Sequence, residues 1–428
     1  MRDAAPSAVD LFPGDPAGDW LRAIPADRFA ALMAPLGPFG PAPSLVVGVS
    51  GGPHSLALAL LARDWARTRG GRLMAAICDH GLRPESGAEA ASVAAMLAGQ
   101  GIAARILALG VAPGPAMQDR ARQARLGALL ALCEELGAPW LLLGHHSADQ
   151  AETVLLRALA GSGPMGLAGM GPARPAHAAL LLRPLLGVSP ARLEAVVAAA
   201  GLAPVRDPSN ADPRFTRARL RAALADPGGE GAGTSALAEA AQRFAGRRNA
   251  MAGAVADRLS ASAQLHEAGF ARIDLAALGR DGVARAALAA LVRALGGAAF
   301  APAEAAIARL LEAGHGTLGG AVLRRDGLLL REEAALGPPV AARPGAAWDG
   351  RFRLVGAGGD GFMIGPAGPA ARRLPRPAGI PAAVVPTLPA LHVNGVLAVL
   401  PALAYPSPHV ASRHGFVFAP IAGPVAEA

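Results

Sequence analysis

VVGVSGGPHSLALAL (46–60) strings together an apolar run, a Ser-Gly-Gly turn and an amphipathic segment that opens on Pro53. The apolar residues at 45–49 suit a buried parallel strand. Pro53 fits the first turn of a helix, to which Leu56, Leu60 and Leu61 give an apolar face. Small residues between a strand and a helix let backbone N–H groups close on phosphate oxygens at the positive end of the helix. Such a connection also needs glycine for steric reasons alone, so the turn by itself admits both readings. It is not a Walker-type loop, because the required glycine–lysine pattern is missing and all 40 basic residues counted as Lys or Arg are arginine.

The unit recurs, with strands expected at 73–78, 102–107 and 140–143 and helices at 85–101, 116–136 and 148–159. Alternation at this spacing predicts an α/β domain with a parallel sheet and helices on both faces. In such sheets ligands bind beyond the carboxyl ends of the strands. The polar clusters at 50–55, 79–83 and 144–149 all fall at those ends.

The 428 residues suffice for two or three units. Residues 1–42 are rich in Pro, Gly and Ala and read as an N-terminal extension, with one helix around 20–33; the α/β domain takes 43–225. DPGGEGAGTS (226–235) marks a linker into a helical region, 226–335, with helices at 236–265, 282–295 and 302–313 and a hairpin at Asp326-Gly327. Residues 336–428 form a small mixed α/β region rich in Pro and Gly. A net charge of +8 carried by guanidinium groups suits a polyanionic partner. Cys78 and Cys133 stand alone, which argues against a disulfide framework or a Cys-rich zinc site and marks both as small core residues. No apolar run reaches the roughly 20 residues that cross a bilayer. The N-terminus carries acids and prolines where a secretory signal needs basic and apolar residues, so a cytoplasmic location without membrane attachment is expected.

GHHSADQAET (144–153) is the second chemical cluster. Ser147 and Gln150 read as a capping box, and Asp149 and Glu152 as first-turn acids that complement the helix dipole. Those acids are also spaced i to i+3, share a face, and follow His145 and His146. Two carboxylates and an imidazole in one crevice suit Mg²⁺, a substrate ammonium or proton transfer. Arg122 and Arg125 share a helix face that is able to meet phosphate, and Arg83 stands just after a strand end.

Taken together, SGGPHS (50–55), DHGLRPES (79–86), GHHSADQAETVLLRALAGSGPMGLAGM (144–170), LLRPLL (181–186) and DPSNADPRFTRARLR (207–221) resemble the tRNA(Ile)-lysidine synthetases, a branch of the PP-loop ATP pyrophosphatases. The resemblance implies a PP-loop fold for 43–225. It also implies a reaction in which ATP adenylates the C2 oxygen of the wobble cytidine of a CAU-anticodon tRNA(Ile), and free lysine then displaces AMP. It places Ser50, Gly51, Gly52, Pro53, His54 and Ser55 at ATP, with Mg²⁺ bridging oxygens and Asp149 as a metal ligand. His145, Asp149, Glu152 and Arg125 become the catalytic set, and Asp79, Arg83, Arg122, Arg183, Asp207 and Arg217 line the substrate and tRNA side. Regions 226–335 and 336–428 would contact the tRNA. The chain departs from the family pattern at His54, where the signature has aspartate, and at Leu126, Ala148 and Ala218. Two alternatives follow: another PP-loop tRNA-modifying ligase, or a tRNA-binding homologue without turnover.

Overall fold

A computed structural model describes residues 23–79, 81, 85–110, 117–176, 178–205, 216–356, 359 and 361–420. The chain divides into two compact units, Met1–Arg248 and Asn249–Ala428.

The first unit is built on a six-stranded sheet in the order β3-β2-β1-β4-β6-β5. Its strands are β1 Ser44–Val49, β2 Arg72–Asp79, β3 Ala103–Ala108, β4 Trp140–Leu143, β5 Ala173–Pro175 and β6 Leu180–Leu182. All pairings are parallel except β5 with β6. The longer helices are α1 Ala26–Met33, α2 Pro53–Arg67, α3 Ser86–Gly99, α4 Met117–Glu135, α5 Ser147–Leu159, α6 Pro190–Ala199 and α7 Thr216–Leu224, and a single helical turn spans Pro164–Leu167. Alternate residues of a strand point to opposite faces. Leu45, Val47 and Val49 accordingly join the core made with α1, α2, α3 and α6, while Val46 joins that of α4 on the other side. Phe29, Leu32 and Met33 of α1 are part of the first core. The two-faced parallel sheet expected from the strand–helix alternation is present. The antiparallel edge strand β5 adds to it, and neither β5 nor β6 was expected.

The order of strands fixes where a ligand can enter. From β1 the chain winds outward through β2 to β3, then crosses back to place β4 on the opposite side of β1. That reversal leaves a crevice beyond the ends of β1 and β4. The segments following those two strands are the Ser-Gly-Gly turn and the His-His cluster.

Helix α8, Ala232–Ser262, contains the dividing line between the units. The helix expected at 236–265 is corrected at its end: Ala263–His266 is strand β7, paired with β8 Phe270–Ile273 across a turn closed by Gly269 N–H to His266 O at 2.9 Å. Alanine-rich sequence has helical propensity, but cross-strand pairing decides the conformation there. With β9 Gly316–Leu318, β10 Ala321–Leu323 and β11 Leu328–Arg331, these strands form a five-stranded antiparallel sheet. It carries the Asp326-Gly327 hairpin and packs against α9 Gly282–Gly296 and α10 Glu304–Ala313.

Two further sheets complete the second unit. One is β12 Val340–Ala341, β15 Phe362–Pro366, β16 Pro389–Val393 and β17 Val396–Val399; the other is β13 Ala347–Trp348, β14 Phe352–Gly356 and β18 His414–Phe418. Asp349, only 1% exposed at its side chain, ties this region to β11. Its carboxylate accepts from Arg331 at 2.7 and 3.0 Å, from Arg351 Nε at 2.7 Å and from the Gly337 N–H at 2.8 Å.

A crevice at the switch point

The turn after β1 is shaped by two glycines with different tasks. Gly51 has φ +80°, and a Cβ there would stand 2.7 Å from Val93 Cγ2, so no other residue fits. Gly52 is the N-cap of α2, and the nearest atom to a Cβ placed on it is Ser50 Oγ at 3.6 Å, which leaves its outward side open. Ser55 holds the turn closed: its Oγ accepts from the Ser50 N–H at 3.1 Å and donates to Gly52 O at 3.0 Å. Pro53 at N1 lacks the amide that a first helical turn would leave unused, while the other early N–H groups stay outside the helical ladder. The turn is a backbone cradle of the kind that suits phosphate.

Gly144, at the end of β4, brings the second cluster against the first. A Cβ on Gly144 would lie 3.2 Å from His54 O and 3.2 Å from Ser55 Cα. The His54 and His146 rings meet edge to face with centroids 4.1 Å apart. Burial is the main cause that lowers the His54 pKa to about 3, His146 and Arg221 lower it further, and Asp149 opposes them. His146 falls to about 3 through burial and the charge of Arg221. His145 falls to about 4 through burial, against the pull of Asp149 and with Arg183, Arg125 and His146 adding to the fall. All three imidazoles are therefore neutral at pH 7. Their His54 Nε2, His145 Nδ1 and His146 Nδ1 atoms are buried without a hydrogen-bond partner among the described residues.

The capping expectation is corrected by one residue. The N-cap of α5 is His146, whose N–H donates to Asp149 Oδ2 at 3.1 Å. Ser147 is the first helical residue. Gln150 does no capping, and instead binds Met170 through its amide nitrogen, to Met170 O at 2.9 Å, and its amide oxygen, from Met170 N–H at 2.7 Å. Arg157, two turns along α5, donates to Gly166 O at 2.6 Å and Gly169 O at 2.9 Å. Together they hold the backbone of the loop that follows α5 at 166–170.

Glu152 is 1% exposed at its side chain and is paired with Arg221 of α7, whose Nε and Nη2 both donate to it, the latter at 3.3 Å. Arg221 Nη2 also lies 3.5 Å from Asp149 Oδ1. Burial alone would lower the Arg221 pKa, but the hydrogen bond and charge of Glu152 and the charge of Asp149 hold it above its usual value. Arg221 was missed in the sequence. Its signal was the four-residue spacing from Arg217, which puts both on one face of a helix.

Of the expected residues, the crevice thus gathers Ser50 to Ser55, His145, Asp149 and Glu152. Arg183 donates to Gly171 O at 2.8 Å and, like Arg125, acts electrostatically on His145. Asp79 ends the neighbouring β2 and accepts from the Gly81 N–H at 2.9 Å. Arg122 is exposed, one turn before Arg125 on α4. Arg83, Asp207 and the side chain of Arg217 lie outside the described residues. Of the two cysteines, Cys133 is buried and Cys78 half-buried; burial pushes both thiols up to about 11.

The crevice offers Mg²⁺ few ligands among the described residues. Glu152 is taken by Arg221 and imidazole at position 54 is a poor ligand for a hard cation, which leaves Asp149, whose Oδ2 accepts from the His146 N–H and whose Oδ1 stands 3.5 Å from Arg221. Among the described residues no group of three or more His, Cys, Asp or Glu side chains is arranged to hold a metal.

The fold and the cradle at its switch point define a PP-loop protein, and the PP-loop domain family matches residues 24–227. The tRNA(Ile)-lysidine synthase of Methylobacterium sp. (strain 4-46) is 42% identical over 336 residues, covering 74% of this chain and 96% of that protein. That of Bradyrhizobium diazoefficiens is 36% identical over 348 residues, covering 78% and 92%. The chain belongs to the tRNA(Ile)-lysidine synthase family. Among solved structures, the U34-tRNA thiolase of Methanococcus maripaludis covers 51% of this chain and 78% of its own at 16% identity, with a TM-score of 0.41. No described helix is long and apolar enough to cross a membrane.

Proposed function

We propose that this chain attaches lysine to C2 of the wobble cytidine of a CAU-anticodon tRNA(Ile). The observation that carries the proposal is likeness to a lysidine synthase along 96% of that protein's length, which reaches well beyond the PP-loop domain that other ligases share. In the first step the cytidine C2 oxygen attacks the α-phosphorus of ATP; an O–P bond forms and pyrophosphate leaves. In the second the lysine ε-nitrogen attacks C2; a C–N bond forms, the C–O bond breaks, and AMP departs with the oxygen.

The turn from Ser50 to Ser55 and the start of α2 would take the phosphates, with Arg125 towards the leaving pyrophosphate. Asp149 would receive the lysine ammonium, with Glu152 holding Arg221 in place. His145, neutral and with an unpartnered nitrogen among the described residues, would accept a proton from the incoming amine. Asp79, Arg83, Arg122, Arg183, Asp207 and Arg217 are assigned to the substrate and tRNA side, and regions 226–335 and 336–428 to the tRNA. Mg²⁺ enters only as the counter-ion that ATP brings, and we assign the protein to the cytoplasm, where its RNA substrate is made.

Incubation with ATP, Mg²⁺, labelled lysine and the CAU tRNA(Ile) transcript tests this directly, with lysine incorporation as the expected result. Incorporation absent while tRNA still binds would make the chain a binder without turnover. Pyrophosphate released only with another acceptor would make it a different ligase. The family likeness favours neither. His54→Asp should leave incorporation intact or raise it, because the present imidazole is neutral and contributes no charge to the crevice. A fall of more than about tenfold, roughly 1.4 kcal/mol in the barrier, would give His54 a catalytic task of its own.

A further inference from the structure

His54 spans the two halves of the crevice. It is the second residue of α2, and its ring rests edge to face on that of His146, the N-cap of α5, with centroids 4.1 Å apart. One imidazole therefore stands between the N-terminal ends of two helices, and both ends carry partial positive charge. Its support is fixed, because His146 is 5% exposed and its Nε2 faces Asp149 Oδ2 at 3.4 Å. Nε2 of His54 is buried without a partner, whereas the residue as a whole is half-buried, so a ligand in the crevice meets the other edge of the ring. Burial and its neighbours keep the ring neutral. A neutral imidazole still has one N–H to donate, and it brings no charge.

The surroundings set what the side chain at 54 is able to do. Free amides at a helix start select an anion. A carboxylate at this position would add a second negative charge within the field of Asp149 and would face the phosphates of a nucleotide, so it would need a cation between itself and them. Imidazole needs none. Glu152, committed to Arg221, has little to offer a bridging cation either.

We propose that His54 donates a hydrogen bond to the phosphate chain of ATP, and that the nucleotide is held here by protein donors with no metal ion bridging it to a side chain. The inference rests on reading the crevice as the ATP site. It is independent of the acceptor and of lysine.

Calorimetric titration of the full chain with ATP, in excess Mg²⁺ and in EDTA, without tRNA or lysine, tests this. Removing the metal should change wild-type affinity by less than about threefold. His54→Asn keeps a neutral donor and should stay within about threefold of wild type in both conditions. His54→Ala loses the bond and should bind about tenfold more weakly in both. His54→Asp should lose about a hundredfold in EDTA and recover in Mg²⁺, which then bridges carboxylate and phosphate. Wild-type affinity in His54→Ala would overturn the hydrogen bond, and a wild-type loss of about thirtyfold or more in EDTA would overturn metal-free binding. Thermal melting checks that each variant is folded, and His54→Asn carries the comparison if His54→Ala is not. Either overturning result, with lysine still incorporated, would leave the proposed reaction standing. The expected binding pattern without lysine incorporation would support His54 as the ligand and sink the reaction.

Discussion

Glu152→Gln is expected to reduce lysine transfer by two to three orders of magnitude while the protein stays folded. The substitution keeps the shape of a side chain that is 1% exposed and removes its charge. Arg221 then keeps at most one acceptor oxygen at position 152 and no charge there, and Asp149, at 3.5 Å, becomes its carboxylate partner. Arg221 is 43% exposed at its side chain, so water screens the guanidinium and the stability cost falls well short of that for a fully buried pair. Here Arg221 has a cheaper escape: it turns onto Asp149 and neutralises the carboxylate proposed to receive the substrate ammonium. Single-turnover lysine transfer, with thermal melting as the check on folding, measures the effect. Arg221→Gln combined with Glu152→Gln should recover part of the loss, since the free guanidinium is then gone, and the double-mutant cycle gives the coupling. Near-wild-type transfer by Glu152→Gln alone would remove the carboxylate pair from the proposed chemistry.

The second large effect belongs to stability. Asp349→Asn should destabilise the second unit by about 3–5 kcal/mol, through uncompensated charge. The carboxylate lies between Arg331 and Arg351, whose side chains are 7% and 0% exposed, and its loss leaves two buried guanidinium groups facing each other. Burial already lowers the Arg351 pKa to about 10 even with Asp349 present. For Asp349, burial alone would raise the pKa, but the Arg331 hydrogen bond, the charge of Arg351, the Gly337 N–H and the charge of Arg331 outweigh it and hold it below the usual carboxylate value. A group whose pKa is depressed on folding binds fewer protons in the folded chain than in the unfolded one. Its stabilisation is fully present above the unfolded value, about 3.9, and is lost as pH falls through the lower folded value. Denaturant melts at pH 7 and at successively lower pH should therefore show the wild-type advantage over Asp349→Asn shrinking in acid. A constant difference would mean that Asp349 acts through packing alone.

Much of the first unit was legible because its strands are short apolar runs bounded by glycine and polar residues. The strand expected at 45–49 is Ser44–Val49, and the one at 140–143 is Trp140–Leu143. The convergence of the two clusters on one crevice followed from strand ends alone, because a parallel sheet aligns them. What escaped depended on partners far along the chain. The three leucines of β6 sit in a longer apolar run with no period of its own, and β5 is a strand only because β6 pairs with it. Arg221 reaches Glu152 across 69 residues, a distance that no local pattern encodes. The box read from Ser147 and Gln150 was right in kind but one residue out, because His146 sits at the N-cap, where Ser is commoner.

The loop after α5 is fastened by the helix that precedes it. Gln150 and Arg157 of α5 hold the carbonyls and an amide of 166–170, and Gly169 has no Cβ where one would press within 2.6 Å of the Gln150 amide. The shape of that loop is therefore written in the helix beneath it. Substitutions at the exposed Leu159, Ala160 and Gly161 should therefore leave the loop's shape intact, provided Gln150, Arg157 and Gly169 are left alone.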